Sequence, residues 1–359
     1  MVNALFGMNS NNIIVKYLPR NYKERDASLD WARIIAAFLV IYGHLYSPEI
    51  KDPLRVFIYQ FHMPFFFLIS GMLHKYRNTL QIAKYAKALL LPFLAFQVIS
   101  FFYNSLFYHF GWLGIHHECQ SNNLLSTMGN YFTYAYKQYY FTPHFILKGN
   151  FLFNGPCWFL LALFYCKCFF DFFQRHKLLG LLFFVVLWFV FSYKNIACLF
   201  IGNFAMAFPF YLCGYYLKPM MEWLKITQYK WLVVMACLTI VVFCIMINGN
   251  VSTFGMVFGH MRYKILSIPF YYLTGMTGSI MLLSLSTWFK GSSKFSALCG
   301  NALISFLVFQ SFFLLVVYNT IGSDNGYLES ALIALSIFAG CMMAHLVTLK
   351  YTPFLIGKV

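Results

Sequence analysis

Charge is what this sequence has little of. Only 10 of its 359 residues are Asp or Glu, and charged residues of either sign make up 10%, against about 25% in an ordinary soluble domain. A water-soluble fold of this length is excluded by that shortage. The ten cysteines are scattered, with Cys166 and Cys168 the one close pair. Most fall in or beside apolar stretches, which argues against a disulfide framework. No internal repeat has a clear period, and there is no low-complexity tract. Pro64, Pro92, Pro209 and Pro269 do not form the paired breaks of an inverted-repeat transporter. The first 25 residues are polar and lack an apolar core segment, so no cleavable signal peptide is expected. The run "HHEC" at 116–119, with His109 nearby, matches no standard structural zinc spacing, and no metal is expected.

Apolar residues are abundant instead: 61% are hydrophobic and 21% aromatic, gathered in long blocks rather than alternating with polar ones. Blocks of this kind read as membrane spans. The fold class expected is an all-α polytopic membrane protein, a single bundle of about ten transmembrane helices near 30–48, 55–74, 88–110, 156–172, 178–193, 197–217, 231–248, 264–288, 299–320 and 329–349. With the N-terminus inside, the even-numbered turns and both tails hold 18 of the 26 Lys and Arg, the opposite side holds seven, and Arg33 lies within span one. That bias is the positive-inside signature and predicts both termini cytoplasmic. The net charge of +16 therefore reports topology, and lipid rather than nucleic acid is the expected partner. The expected layout is a tail over 1–28, a membrane domain over 29–350 and a tail over 351–359. Its long segment 111–155 is too polar to insert, and predicts an outer loop resting at the interface.

The first span, "LDWARIIAAFLVIYGHLYS", carries the chemistry. Arg33 and His44 are eleven residues apart, close to three helical turns, so they share a face about 16 Å apart along the axis. Ala36, Ala37 and Val40 lie between them, small enough to leave a groove. Arg33 also lies near enough to the inner face to snorkel and pair with Asp30. His62 lies early in the second span, about two turns from its start and at a depth similar to that of His44, and Pro64 frees the carbonyl of Gln60 beside it. Gly71 predicts a close helix approach, whereas Phe65, Phe66 and Phe67 read as packing and lipid contact. Below, "HKYRNTLQIAKYAKALLLP" gathers His74, Lys75, Arg77, Lys84 and Lys87 at the foot of the groove. Ordinary positive-inside charge or anionic-lipid contact explains these too. A phosphate-bearing molecule with a long thin arm would find cations for its head here and a slot for its arm. Coenzyme A has that shape. Trp158, near an outer helix end, suits an interfacial anchor or a donor to a bound carbonyl.

These residues resemble acyltransferase family 3, the integral-membrane O-acyltransferases. The resemblance is carried by "LDWARIIAAFLVIYGH" (29–44), "IYQFHMPFFFLISGML" (58–73), "PCWFLLALFYC" (156–166), "FPFYLCGYYL" (208–217) and "LCGNALISFLVFQ" (298–310). The second fragment is most similar to the fucose 4-O-acetylase-like branch. The resemblance implies ten helices in a bacterial cytoplasmic membrane, acetyl-CoA as donor from the inside, and a sugar hydroxyl of a surface glycan or its lipid-linked precursor as acceptor. It implies His44 and Arg33 as the catalytic pair, with His62 or Trp158 against the developing oxyanion. Lys75, Arg77, Lys84 and Lys87 would take the donor's phosphates, although the family's motif there is usually arginine-rich. Gln310 stands where many members have His, so no proton transfer is assigned to it. Direct transfer to the hydroxyl and relay through an acetylated His44 both fit. A transporter or flippase of a glycan lipid is the alternative, with Arg33 and the histidines as a proton relay. Oligomeric state is left open.

Overall fold

The computed structural model describes residues 25–45, 53–77, 79, 81–112, 119–139, 152–194, 200–248, 267–291, 294–321 and 326–358. Among these residues there is no strand. The long helices are α1 (Ala27–His44), α2 (Pro53–Met72), α3 (Leu91–His109), α4 (Leu124–Tyr139), α5 (Trp158–Arg175), α6 (Lys177–Lys194), α7 (Ile201–Tyr216), α8 (Lys218–Ile226), α9 (Lys230–Asn248), α10 (Ser267–Ser286), α11 (Leu303–Thr320) and α12 (Tyr327–Tyr351). A helix covers each of the ten apolar segments. Six helical rods among the described residues are long and apolar enough to cross a membrane. The chain is thus an all-α membrane protein. Its outer faces agree: α6 and α9 expose Leu182, Val186, Phe189, Phe243 and Met246, a surface suited to lipid rather than water.

Helix α2 lies at the centre, held by glycines on its neighbours. A Cβ on Gly71 would sit 1.9 Å from the carbonyl oxygen of Tyr211, and one on Gly214 the same distance from that of Leu68. The backbones of α2 and α7 therefore touch, as Gly71 predicts. Without a solvent-driven force between helices in lipid, such close approach supplies the packing energy. On the other side Gly278 of α10 receives Phe61, whose own Cβ would lie 2.4 Å from an added methyl. Phe65 and Phe67 are fully buried in this core.

Helix α1 is capped by Asp26, whose carboxylate accepts the Ser28 amide, satisfying a donor that the first turn leaves free. A one-turn π-helix, Ala86–Leu90, joins Ile82–Tyr85 to α3. After α12 the chain does not trail away: Pro353–Ile356 forms a 3-10 turn, and Ile356 is buried. The run "HHE" at 116–118, and most of the loop 140–155, lie outside the described residues.

Candidate active site

Asp30 is the hub at one end of α1. Its carboxylate is buried and accepts from Arg33 Nη1 at 3.1 Å and from Arg25 Nε at 2.8 Å. Arg25 also donates to Asn301 Oδ1 at 2.9 Å. A side chain on Gly300 would meet the Asp30 carboxylate at 2.4 Å, which explains a glycine just before Asn301. Two guanidiniums thus share one carboxylate, leaving net positive charge at this end of the groove.

At the far end of α1, His44 Nδ1 lies 3.0 Å from the hydroxyl of Tyr59. Gly43 makes room, since a Cβ there would come within 3.0 Å of the Tyr59 ring. The Tyr59 ring also packs edge-on against His62, with centroids 4.7 Å apart. The two imidazoles therefore sit at one depth on adjacent helices, with Tyr59 between them. His62 Nδ1 donates to the carbonyl of Ile58 at 3.1 Å, not to that of Gln60 as Pro64 predicts. Its own helix supplies the acceptor four residues back, which fixes the tautomer and leaves Nε2 as the proton-accepting nitrogen. Tyr318 of α11 donates to the main-chain carbonyl of His44, closing the last turn of α1.

Two adjoining cavities lie between these ends. One is an apolar slot of about 170 Å³, walled by the Arg33, Ala37 and Val40 face of α1, by Phe66 and Ser70 of α2, and by Gln310 of α11. Arg33 Nε and Gln310 Nε2 are buried there with no protein partner among the described residues. The other, of about 440 Å³, is lined by Lys75, Arg77, Lys84, Lys167 and Lys358. The cavities share Leu73, Leu89 and Ile304 as walls. A cationic chamber thus adjoins a narrow apolar slot whose α1 wall reaches Val40, one helical turn before His44. Such a shape takes a polyanionic head and a thin arm. An imidazole beyond the slot's end can accept and return a proton.

The sequence model of that family, described as an acyltransferase domain, matches residues 26–346. The chain belongs to acyltransferase family 3. No curated protein and no solved structure matches it significantly.

In this acyltransferase, Arg33 lines the slot and Lys75, Arg77 and Lys84 line the chamber, while His44 and His62 lie outside both cavities and meet at Tyr59. Lys87 is not among them; it is exposed and points away. Three residues along an α-helix turn a side chain about 60° from the first, but the wider π turn at Ala86–Leu90 carries it farther round. Trp158 is buried behind the slot, tilted against Phe67 at 6.2 Å, and its neighbour Phe159 takes the wall position instead. Phe66, expected only to pack, also lines the slot.

Several site residues escape sequence reasoning. Tyr59 carries a weak signal, lying three residues before His62 on the same helix face. Lys167 and Asp171 are an i,i+4 pair in an apolar helix, which is costly without a purpose. Asp171 accepts from Tyr85 at 2.9 Å and lies 3.1 Å from His74 Nε2, while the His74 Nδ1 meets Tyr211 at 2.5 Å. His74 is therefore a buried strut rather than a free cation. Arg25 and Lys358 carry no local signal, and Gln310, noted only as standing where many members have His, gave no sign that it lines the slot.

Proposed function

We propose that this acyltransferase moves an acetyl group from acetyl-CoA to a hydroxyl of a sugar, in a cell-surface glycan or its lipid-linked precursor. The observation that supports this is a cationic chamber that shares walls with a narrow apolar slot along the Arg33, Ala37 and Val40 face of the helix that carries His44. The donor's phosphates lie among Lys75, Arg77, Lys84 and Lys167. Its pantetheine arm follows the Arg33, Ala37 and Val40 face. Arg33 Nε and Gln310 Nε2 each donate to an amide carbonyl of that arm. The topology that serves this has ten spans, with both termini and the basic chamber on the cytoplasmic side of a bacterial inner membrane. The basic chamber at one end favours that orientation.

A sugar hydroxyl is a weak nucleophile because it holds its proton. His44 Nε2 takes that proton as the oxygen attacks the thioester carbonyl. Nδ1–H donates to Tyr59, which keeps the Nε2 lone pair on the reacting side. As the tetrahedral oxyanion collapses, the C–S bond breaks and the imidazolium returns the proton to the thiolate. The products are an acetyl ester and coenzyme A. His62 Nε2 is an acceptor, because Nδ1–H is committed to Ile58, so His62 orders the acceptor hydroxyl beside His44 rather than donating to the oxyanion. The resemblance to the fucose 4-O-acetylase-like branch supports a sugar as the acceptor.

Thermal stability in detergent tests the donor. Coenzyme A and acetyl-CoA should raise the melting temperature, and a nucleotide without the acyl arm should raise it less. No shift over a wide concentration range would favour the transport reading. Comparing surface glycans with and without the protein by mass and NMR should show lost O-acetyl groups.

A further inference from the structure

The turn that follows α12 enters the basic chamber from a direction unrelated to the motif after α2. The backbone amide of Gly357 donates to Phe354 and that of Lys358 to Pro353, both at 3.1 Å. Gly357 adopts φ +71°, and a Cβ there would lie 2.5 Å from the carbonyl oxygen of Ala88. The turn is therefore seated against the π turn at 86–90, with Ile356 buried beneath it. The result is that Ile356, Gly357 and Lys358 become part of the chamber wall, facing Lys75, Arg77 and Lys84.

Lys358 has no carboxylate partner among the described residues. Arg25 lies near it, but Asp30 is engaged by Arg25 and Arg33. His345 of α12 is a further titratable neighbour, and His74, Tyr85 and Lys167 complete the ring around the chamber. An ammonium held half-buried among cations gains from an anion placed between them. We propose that Lys358 is a phosphate-binding residue of this chamber, delivered by the 353–358 turn to a phosphoryl group of the donor. Rested on the acetyl-CoA reading, the proposal adds a fourth wall to the recognition of the donor's head and makes it sensitive to pH. Burial, and then Arg25, push the Lys358 amine down to about 8. An anion binds the ammonium and not the amine. Affinity should therefore be full below pH 8 and fall as pH rises through it.

The test measures affinity for two probes, coenzyme A and inorganic pyrophosphate, on full-length protein in detergent. Lys358→Gln should weaken both about tenfold, with the melting temperature of the free protein unchanged. Lys358→Arg should restore affinity and abolish its decline between pH 7 and 9. Gly357→Ala keeps the lysine but displaces the turn, and should weaken both probes as well. In turnover, Lys358→Gln should raise the KM for acetyl-CoA and leave kcat alone. Unchanged affinity of Lys358→Gln for both probes would overturn the inference. Wild-type protein that binds pyrophosphate through Lys358 but ignores coenzyme A would instead overturn the donor reading and leave the phosphate site standing.

Discussion

The hydroxyl of Tyr59 lies 3.0 Å from Nδ1 of His44, and the same ring packs on His62. Tyr59 thereby engages Nδ1 of His44 and leaves Nε2 for the proposed proton transfer. Tyr59→Phe keeps the ring and removes the hydroxyl. A single buried hydrogen bond contributes about 1 kcal/mol, so kcat should fall about fivefold with the KM for acetyl-CoA little changed. Steady-state kinetics separate the two.

The Asp30 hub predicts a stability effect. Asp30→Asn keeps the shape and removes the carboxylate that Arg25 and Arg33 share. Stranding buried cations costs about 3–5 kcal/mol, visible as a large drop in thermal stability. Gly300→Ala should act in the same direction, because its methyl would meet the Asp30 carboxylate at 2.4 Å.

The helix crossing gives a contrast between two glycines. Gly214→Ala places a methyl 1.9 Å from the carbonyl oxygen of Leu68 and must separate α2 from α7. Overpacking of this kind costs about 1–3 kcal/mol or more. Gly129→Ala in α4 meets nothing within 4 Å and should be neutral or stabilising by about 0.5–1 kcal/mol. Melting temperatures in detergent distinguish the two.

Slot and chamber should be separable. Ala37 is buried on the slot wall, so Ala37→Leu narrows the slot without touching the chamber. Affinity for acetyl-CoA should fall, while affinity for adenosine 3′,5′-bisphosphate, which has the head but no arm, should stay. Equal loss for both would place the arm elsewhere. Added salt should weaken binding of both, because the chamber's cations are partly open to solvent.

Much of this was legible in the residues. Long apolar blocks located the helices because lipid demands continuous apolar length, and the register of Arg33 and His44 needed only one helix. Gly71 announced a close crossing, although its partner Gly214 lay 143 residues on. What stayed hidden depended on distant segments or local distortion. Tyr59 is one of 26 tyrosines, and beyond its spacing from His62 it is the approach permitted by Gly43 that singles it out. Lys167 and Lys358 reach the chamber through tertiary packing that no local pattern encodes. Lys87 was misplaced because nothing in "AKALL" signals a π turn. Trp158 and Phe159 exchanged roles for the simpler reason that adjacent helical residues point about 100° apart.

The central claim is that His44 moves the proton while the chamber and slot hold the donor. Labelled acetyl-CoA given to membranes containing wild-type protein or His44→Ala tests it directly, with donor binding and label in glycan followed together. The account predicts equal donor affinity for both proteins and a loss of transfer of about 10²-fold or more in the variant. Normal transfer by His44→Ala would contradict it.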